Sequence, residues 1–178
     1  MWCVIVAVML VAPEVVLILG GKEYYESRIV VLPLLACTFF TFLYLLPSTT
    51  EYYLKKTWNI AFATSCIAVL NIILNYFFIK RFGYIAGAYT TLFCYICYFL
   101  FHYLMAKKLI GFQQFDTKII AVLAVLLFAV LAVCYVLLDL LVVRWTLMII
   151  FVLVNALLLL KMYKTGKLKG LVGEKNNE

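Results

Sequence analysis

The side chains with chemistry to offer are six cysteines, one histidine and eight carboxylates in a chain of 178 residues. Cys3, Cys37, Cys66, Cys94, Cys97 and Cys134 all fall inside apolar runs. Cys94 and Cys97 have C-x-x-C spacing. A redox pair of that kind needs an exposed helix N-terminus to stabilise the thiolate, and this one sits in the middle of a run. No second pair and no nearby histidine completes a tetrahedral zinc set. The thiols therefore read as small apolar packing residues. A proton relay is the chemical possibility for His102. Its flanking tyrosine and lysines, Tyr103, Lys107 and Lys108, favour an interfacial position instead. There is no Ser/His/Asp set, no glycine loop that would cradle phosphate and no carboxylate pair within reach of each other. The expectation is a chain that is no enzyme and binds no metal or cofactor.

What remains informative is polarity inside apolar runs. Glu14 follows Pro13 directly. Proline removes a backbone donor and bends a helix, so the carboxylate beside it is neutral, paired with a base, facing water or snorkelling to the nearby interface. Asn71 and Asn75 are four apart and share a helix face, with Thr64 and Ser65 earlier on the same run. They serve either as interhelical glue or as the lining of a polar cavity. Gly83 and Gly87 form a small-xxx-small pair, extended by Ala86, Ala88, Thr90 and Thr91. Small residues let helix backbones approach closely, so this stretch predicts tight packing of the helices on either side of the short turn before it.

The elements that must position these residues follow from composition. The chain is 68% hydrophobic and 13% charged, with a mean hydropathy of +1.13. A soluble domain is roughly 45–50% apolar. A charge at the bilayer centre costs at least about 2.5–3.5 kcal/mol, and the charges here cluster between apolar runs. Those runs are 2–19, 29–46, 58–79, 85–105, 119–138 and 145–160. Each is near the roughly 20 residues that span the hydrocarbon as a helix. They lack strict alternation, which argues against barrel strands, and lipid leaves the helix as the remaining choice. The fold class is thus an all-α transmembrane bundle of about six helices over residues 1–163, with a Lys-rich tail over 164–178. Pro47-Ser48-Thr49-Thr50-Glu51 is expected to close the second helix, and Asp139 to Arg144 to form a tight turn. Trp2, Tyr24, Tyr25, Tyr52, Tyr53, Trp58, Tyr84, Trp145 and Tyr163 lie at run ends as an aromatic belt.

Basic residues give the orientation. Alternating the runs puts Lys55, Lys56, Lys107, Lys108, Lys118, Lys161, Lys164, Lys167, Lys169 and Lys175 on the side of the N-terminus. The opposite side holds Lys22, Arg28, Lys80, Arg81 and Arg144. The positive-inside rule then places both termini in the cytoplasm. The net charge of +7 is met by anionic lipid and calls for no nucleic acid. The first run lacks a basic flank and is broken by Pro13-Glu14, so it reads as a retained helix, not a signal peptide. The chain starts as though cut from within a longer membrane protein.

The string Asn71 to Ile79, followed by Phe82-Gly83-Tyr84-Ile85-Ala86-Gly87-Ala88-Tyr89-Thr90-Thr91, resembles a pattern of the bacterial polysaccharide exporters, the lipid-linked oligosaccharide or O-antigen flippases. Ala12-Pro13-Glu14 and Leu19-Gly20-Gly21-Lys22-Glu23-Tyr24 are similar to their helix-end segment. The resemblance spans about residues 10–110. These exporters belong to the superfamily of multidrug and toxin extruders. The resemblance implies one of two bundles of about six helices that rock about a central cavity. The implied substrate is an oligosaccharide on undecaprenyl pyrophosphate, and the implied place is the bacterial cytoplasmic membrane. It further implies Glu14, Asn71 and Asn75 as cavity residues, with Arg28, Lys55 and Lys56 near phosphate at the mouths. The chain matches the C-terminal half, so a separate N-terminal bundle or a second copy has to supply the rest. Two other readings stay open: half of a multidrug/cation antiporter with Glu14 as its ion site, or an assembly subunit that moves nothing.

Overall fold

The computed structural model describes residues 1–111 and 116–164. The tail over 165–178 and the side chain of Tyr163 lie outside the described residues. Six helices follow one another: α1 (Trp2–Gly20), α2 (Arg28–Tyr53), α3 (Thr57–Phe82), α4 (Ile85–Ile110), α5 (Thr117–Val136) and α6 (Leu141–Lys164). A short 3₁₀ segment, Lys22–Ser27, joins α1 to α2. All six are long and apolar enough to cross a membrane. The chain is an all-α, multi-pass membrane protein.

Connections of two to four residues fold α3 back on α2, α4 back on α3 and α6 back on α5. The centre is α2, packed most extensively on α4 and next on α1. Its buried stripe is Leu32, Ala36, Phe39, Phe40 and Leu43. Met9 of α1, Leu92 and Phe99 of α4, and Leu127 and Cys134 of α5 complete that core. The Trp2 indole N–H donates to the Leu123 carbonyl at 3.3 Å, tying the start of α1 to α5. In lipid the tails are as apolar as leucine, so close packing and hydrogen bonds hold helices together, not expulsion from water. Accordingly the outer faces of α3 and α6 stay apolar and exposed, with Val69, Ile72, Ile150 and Leu153 among them.

Four helices run several residues further than their apolar runs, and in α2 and α6 the extension takes in residues expected in a turn. The second was expected to stop at Pro47, yet α2 continues for two more turns, to Tyr53. The Ser48 and Thr49 hydroxyls donate to the carbonyls of Leu45 and Leu46, at 3.0 and 2.6 Å, so polarity that would signal a loop in water is spent on the helix itself. The sixth begins at Leu141, not Trp145, which moves Arg144 out of the turn and into the helix. The α5–α6 turn is Leu137 to Leu140.

The end of α2 is closed by a paired motif. Lys56 N–H donates to the Glu51 carbonyl at 2.9 Å, and Lys55 N–H to the Tyr52 carbonyl at 3.0 Å. This six-to-one and five-to-two arrangement requires a left-handed residue, and Lys55 supplies it at φ 55°. Glycine is the usual occupant, because a Cβ there is strained by roughly 1–2 kcal/mol. Lys55→Gly is therefore expected to raise the stability of the detergent-solubilised chain by about 1 kcal/mol in a denaturant titration of helix content.

Candidate functional site

The polar residues of α3 meet those of α4 in one continuous seam. Asn75 Nδ2 donates to Asn71 Oδ1 at 2.9 Å, which is the i, i+4 contact a helix face dictates. The Thr90 hydroxyl donates to Asn75 Oδ1, and Asn71 Nδ2 reaches the Thr91 hydroxyl at 3.4 Å. Further along, the Thr64 and Tyr98 hydroxyls are 2.8 Å apart. Gly87 makes this approach possible. A Cβ there would lie 3.2 Å from Ile79 Cδ1 and 3.8 Å from Asn75 Oδ1. Ala88 beside it is buried. Gly83 acts differently from its neighbour: it stops α3 at φ 78°, and nothing crowds it.

Between α2, α3 and α4 the seam borders an open groove of about 350 Å³, lined by Tyr44, Thr64, Asn71, Thr91, Tyr95 and Tyr98 among others. Two larger hollows, about 590 and 650 Å³, are walled almost wholly by apolar side chains and suit acyl chains. A third hollow, of about 570 Å³ beside Thr49, Thr50 and Tyr53 at the end of α2, also carries hydroxyls; the 350 Å³ groove adds an asparagine amide to them.

Packed against two of the tyrosines that line this groove is a pair that the sequence reading did not find. His102 Nδ1 and Glu51 Oε1 are 2.6 Å apart, and both side chains have no exposed surface. The pair is packed among aromatic rings. Tyr98 sits edge-on to the imidazole at 4.6 Å between centroids, and Tyr44 lies at 5.9 Å. Glu51 had been placed in a loop and His102 at the interface. The first expectation follows from ending the second helix at Pro47, and the second from the tyrosine and lysines that flank His102.

The other side of the bundle carries two further ion pairs. Glu14 of α1 is engaged by the guanidinium of Arg144 on α6, which is buried. Arg28 donates to Asp139 at 2.7 Å and lies over the Tyr25 ring, 4.0 Å from its centroid. Together these pairs tie the first turn of α6 to α1 and the α5–α6 turn to the start of α2. The structure thus separates the six sequence candidates. Asn71 and Asn75 share the groove seam, Glu14 and Arg28 are held in ion pairs on the opposite side, and Lys55 and Lys56 are exposed in the α2–α3 turn. Among the described residues no three His, Cys, Asp or Glu side chains gather as for a metal ion, and the thiols are unpaired. Comparison of the chain with protein-family models, with curated proteins and with solved structures gave no match.

A buried ion pair that loses one partner leaves the other charge uncompensated, whereas removing both is nearly neutral. Arg144→Met is expected to lower stability by about 3 kcal/mol, and the double variant Glu14→Gln/Arg144→Met to recover most of that loss. Denaturant unfolding of all three proteins in one lipid–detergent mixture checks the cycle.

Proposed function

We propose that the chain is one helical bundle of a bacterial exporter that carries a lipid-linked oligosaccharide across the cytoplasmic membrane, both termini lying in the cytoplasm. The observation that carries the reading is the groove of Tyr, Thr and Asn side chains open at the bundle surface. The Asn71 amide keeps donor and acceptor capacity beyond its two bonds within the seam, and hydrocarbon meets none of it, so such a groove is stabilised by water, a polar solute or another protein surface. A second bundle facing α3 and α4 across a wet cavity meets that requirement, and it matches the two-bundle organisation that the resemblance implies. Neutral hydroxyl, amide and aromatic groups suit sugar rings. The exposed lysines Lys55 and Lys56, on the N-terminal side, suit a pyrophosphate at the mouth.

The antiporter reading rested on a free Glu14 carboxylate. That carboxylate is held by Arg144, which weakens it as a lone ion site. The assembly-subunit reading accounts for the apolar outer faces, and for the groove it requires a partner protein that presents a polar surface there.

Complementation tests the proposal in a strain lacking its own O-antigen flippase. Surface polysaccharide is expected when the chain is expressed together with an N-terminal bundle from a related exporter, and is expected to fall with Asn71→Leu. Surface polysaccharide from the chain alone would point to a self-sufficient dimer. Stable insertion with no polysaccharide under either condition would favour the assembly subunit.

A further inference from the structure

Glu51 and His102 sit fifty-one residues apart in sequence and touch through a single hydrogen bond in a site without solvent-exposed surface. Each has one atom left over. Glu51 Oε2 and His102 Nε2 are both buried and have no hydrogen-bond partner in the protein. The Glu14–Arg144 pair and Arg28 also leave buried atoms without partners, but a guanidinium keeps its proton in a protein, whereas an imidazole can gain or lose one. Each buried polar atom left without a partner costs about 1–3 kcal/mol. Here the acceptor and the imidazole nitrogen stay open, next to the tyrosines that line the polar groove.

We propose that Glu51 and His102 form a proton-binding site between α2 and α4. In the unloaded state the imidazole is neutral, its Nδ1–H donates to Glu51 Oε1, and the pair carries a net charge of −1. Loading adds one proton from water to His102 Nε2. The Nδ1–H···Oε1 bond is kept, no covalent bond to carbon changes, and the pair becomes neutral overall as imidazolium and carboxylate. The route is the groove itself, since Tyr44 and Tyr98 both line it and both pack against the imidazole.

The surroundings isolate this reaction. The titratable side chains facing the pair are Tyr44 from α2 and Tyr98 from α4. Among the described residues no other charged group is bonded to either partner from α1, α3 or α5. The lysines nearest in sequence, Lys55, Lys56, Lys107 and Lys108, are exposed at the helix ends. A change of one proton therefore changes the net charge at the place where the two most extensively packed helices meet. That couples proton occupancy to how α2 and α4 are held together, whichever solute the bundle moves.

His102 is the only histidine in the chain, so labelling at histidine reports on this site alone. Nitrogen NMR of the histidine-labelled chain in lipid bilayers, recorded across the pH range in which it stays folded, is the test. The expected result is reversible conversion from the neutral Nδ1–H form to the doubly protonated imidazolium, with helix content unchanged. In Glu51→Gln the pH of that conversion is expected to move. A single protonation state throughout the range would overturn the proposal, and so would a conversion that Glu51→Gln leaves in place. Should Glu51→Gln fail to insert, the wild-type titration decides alone: a fixed state refutes proton binding, and a titrating buried imidazole supports it. Because the readout is local, failure of the export assay leaves this result standing, and the reverse is also true.

Discussion

Hydrocarbon offers no hydrogen bond, and the rest of this structure depends on that constraint. Every backbone donor has to be met inside its own helix, which makes six helices of the six apolar stretches. Every polar side chain within the bundle has to be met by a neighbour. The result is a set of cross-helix pairs placed where the chain has no other way to keep charge or amide groups away from lipid. Thr90 with Asn75 and Thr64 with Tyr98 join α3 to α4, Glu51 with His102 joins α2 to α4, and Glu14 with Arg144 joins α1 to α6.

These pairs divide the bundle into distinct regions. On the side away from the N-terminus, Glu14–Arg144 holds the start of α6 against α1 and Arg28–Asp139 holds the α5–α6 turn against α2, so the peripheral helices are anchored by charge as well as by packing. On the N-terminal side the acid–imidazole pair lies between the two central helices. Between the two regions, the α3–α4 seam is knit internally but keeps a groove of hydroxyls, amides and rings facing outward. An apolar fold would have sealed that face. Its polarity is the physical reason for reading the bundle as one wall of a passage.

The sequence made the helices legible because the bilayer imposes both their length and their composition. It also made Asn71 and Asn75 legible, since a spacing of four places them on one face without any knowledge of neighbours. Gly87 was readable for the same reason, as a small residue in a helix that packs closely. The end of α2 was not readable. Pro47, Ser48, Thr49 and Thr50 have the composition of a loop, and only the hydroxyl-to-carbonyl bonds to Leu45 and Leu46 show that they extend a helix. Misplacing that end hid Glu51, and with it the meaning of His102. Arg144 was hidden in the same way, by four residues of α6 assigned to a turn. Both missed pairings join residues far apart in the chain, 51 and 130 positions, and no local period encodes them.

The central claim is that the α3–α4 groove meets water while the adjoining face of α3 meets lipid. Cysteine reactivity with a charged, membrane-impermeant maleimide reads this directly, because only a hydrated thiol ionises and reacts. In a background with the six native cysteines replaced, Ala68→Cys lies in the groove and Val69→Cys lies on the exposed apolar face. Labelling in native membranes of the first and not the second is the predicted result. Equal protection of both positions would mean that lipid or packed protein fills the groove, and would contradict a role for it in transport.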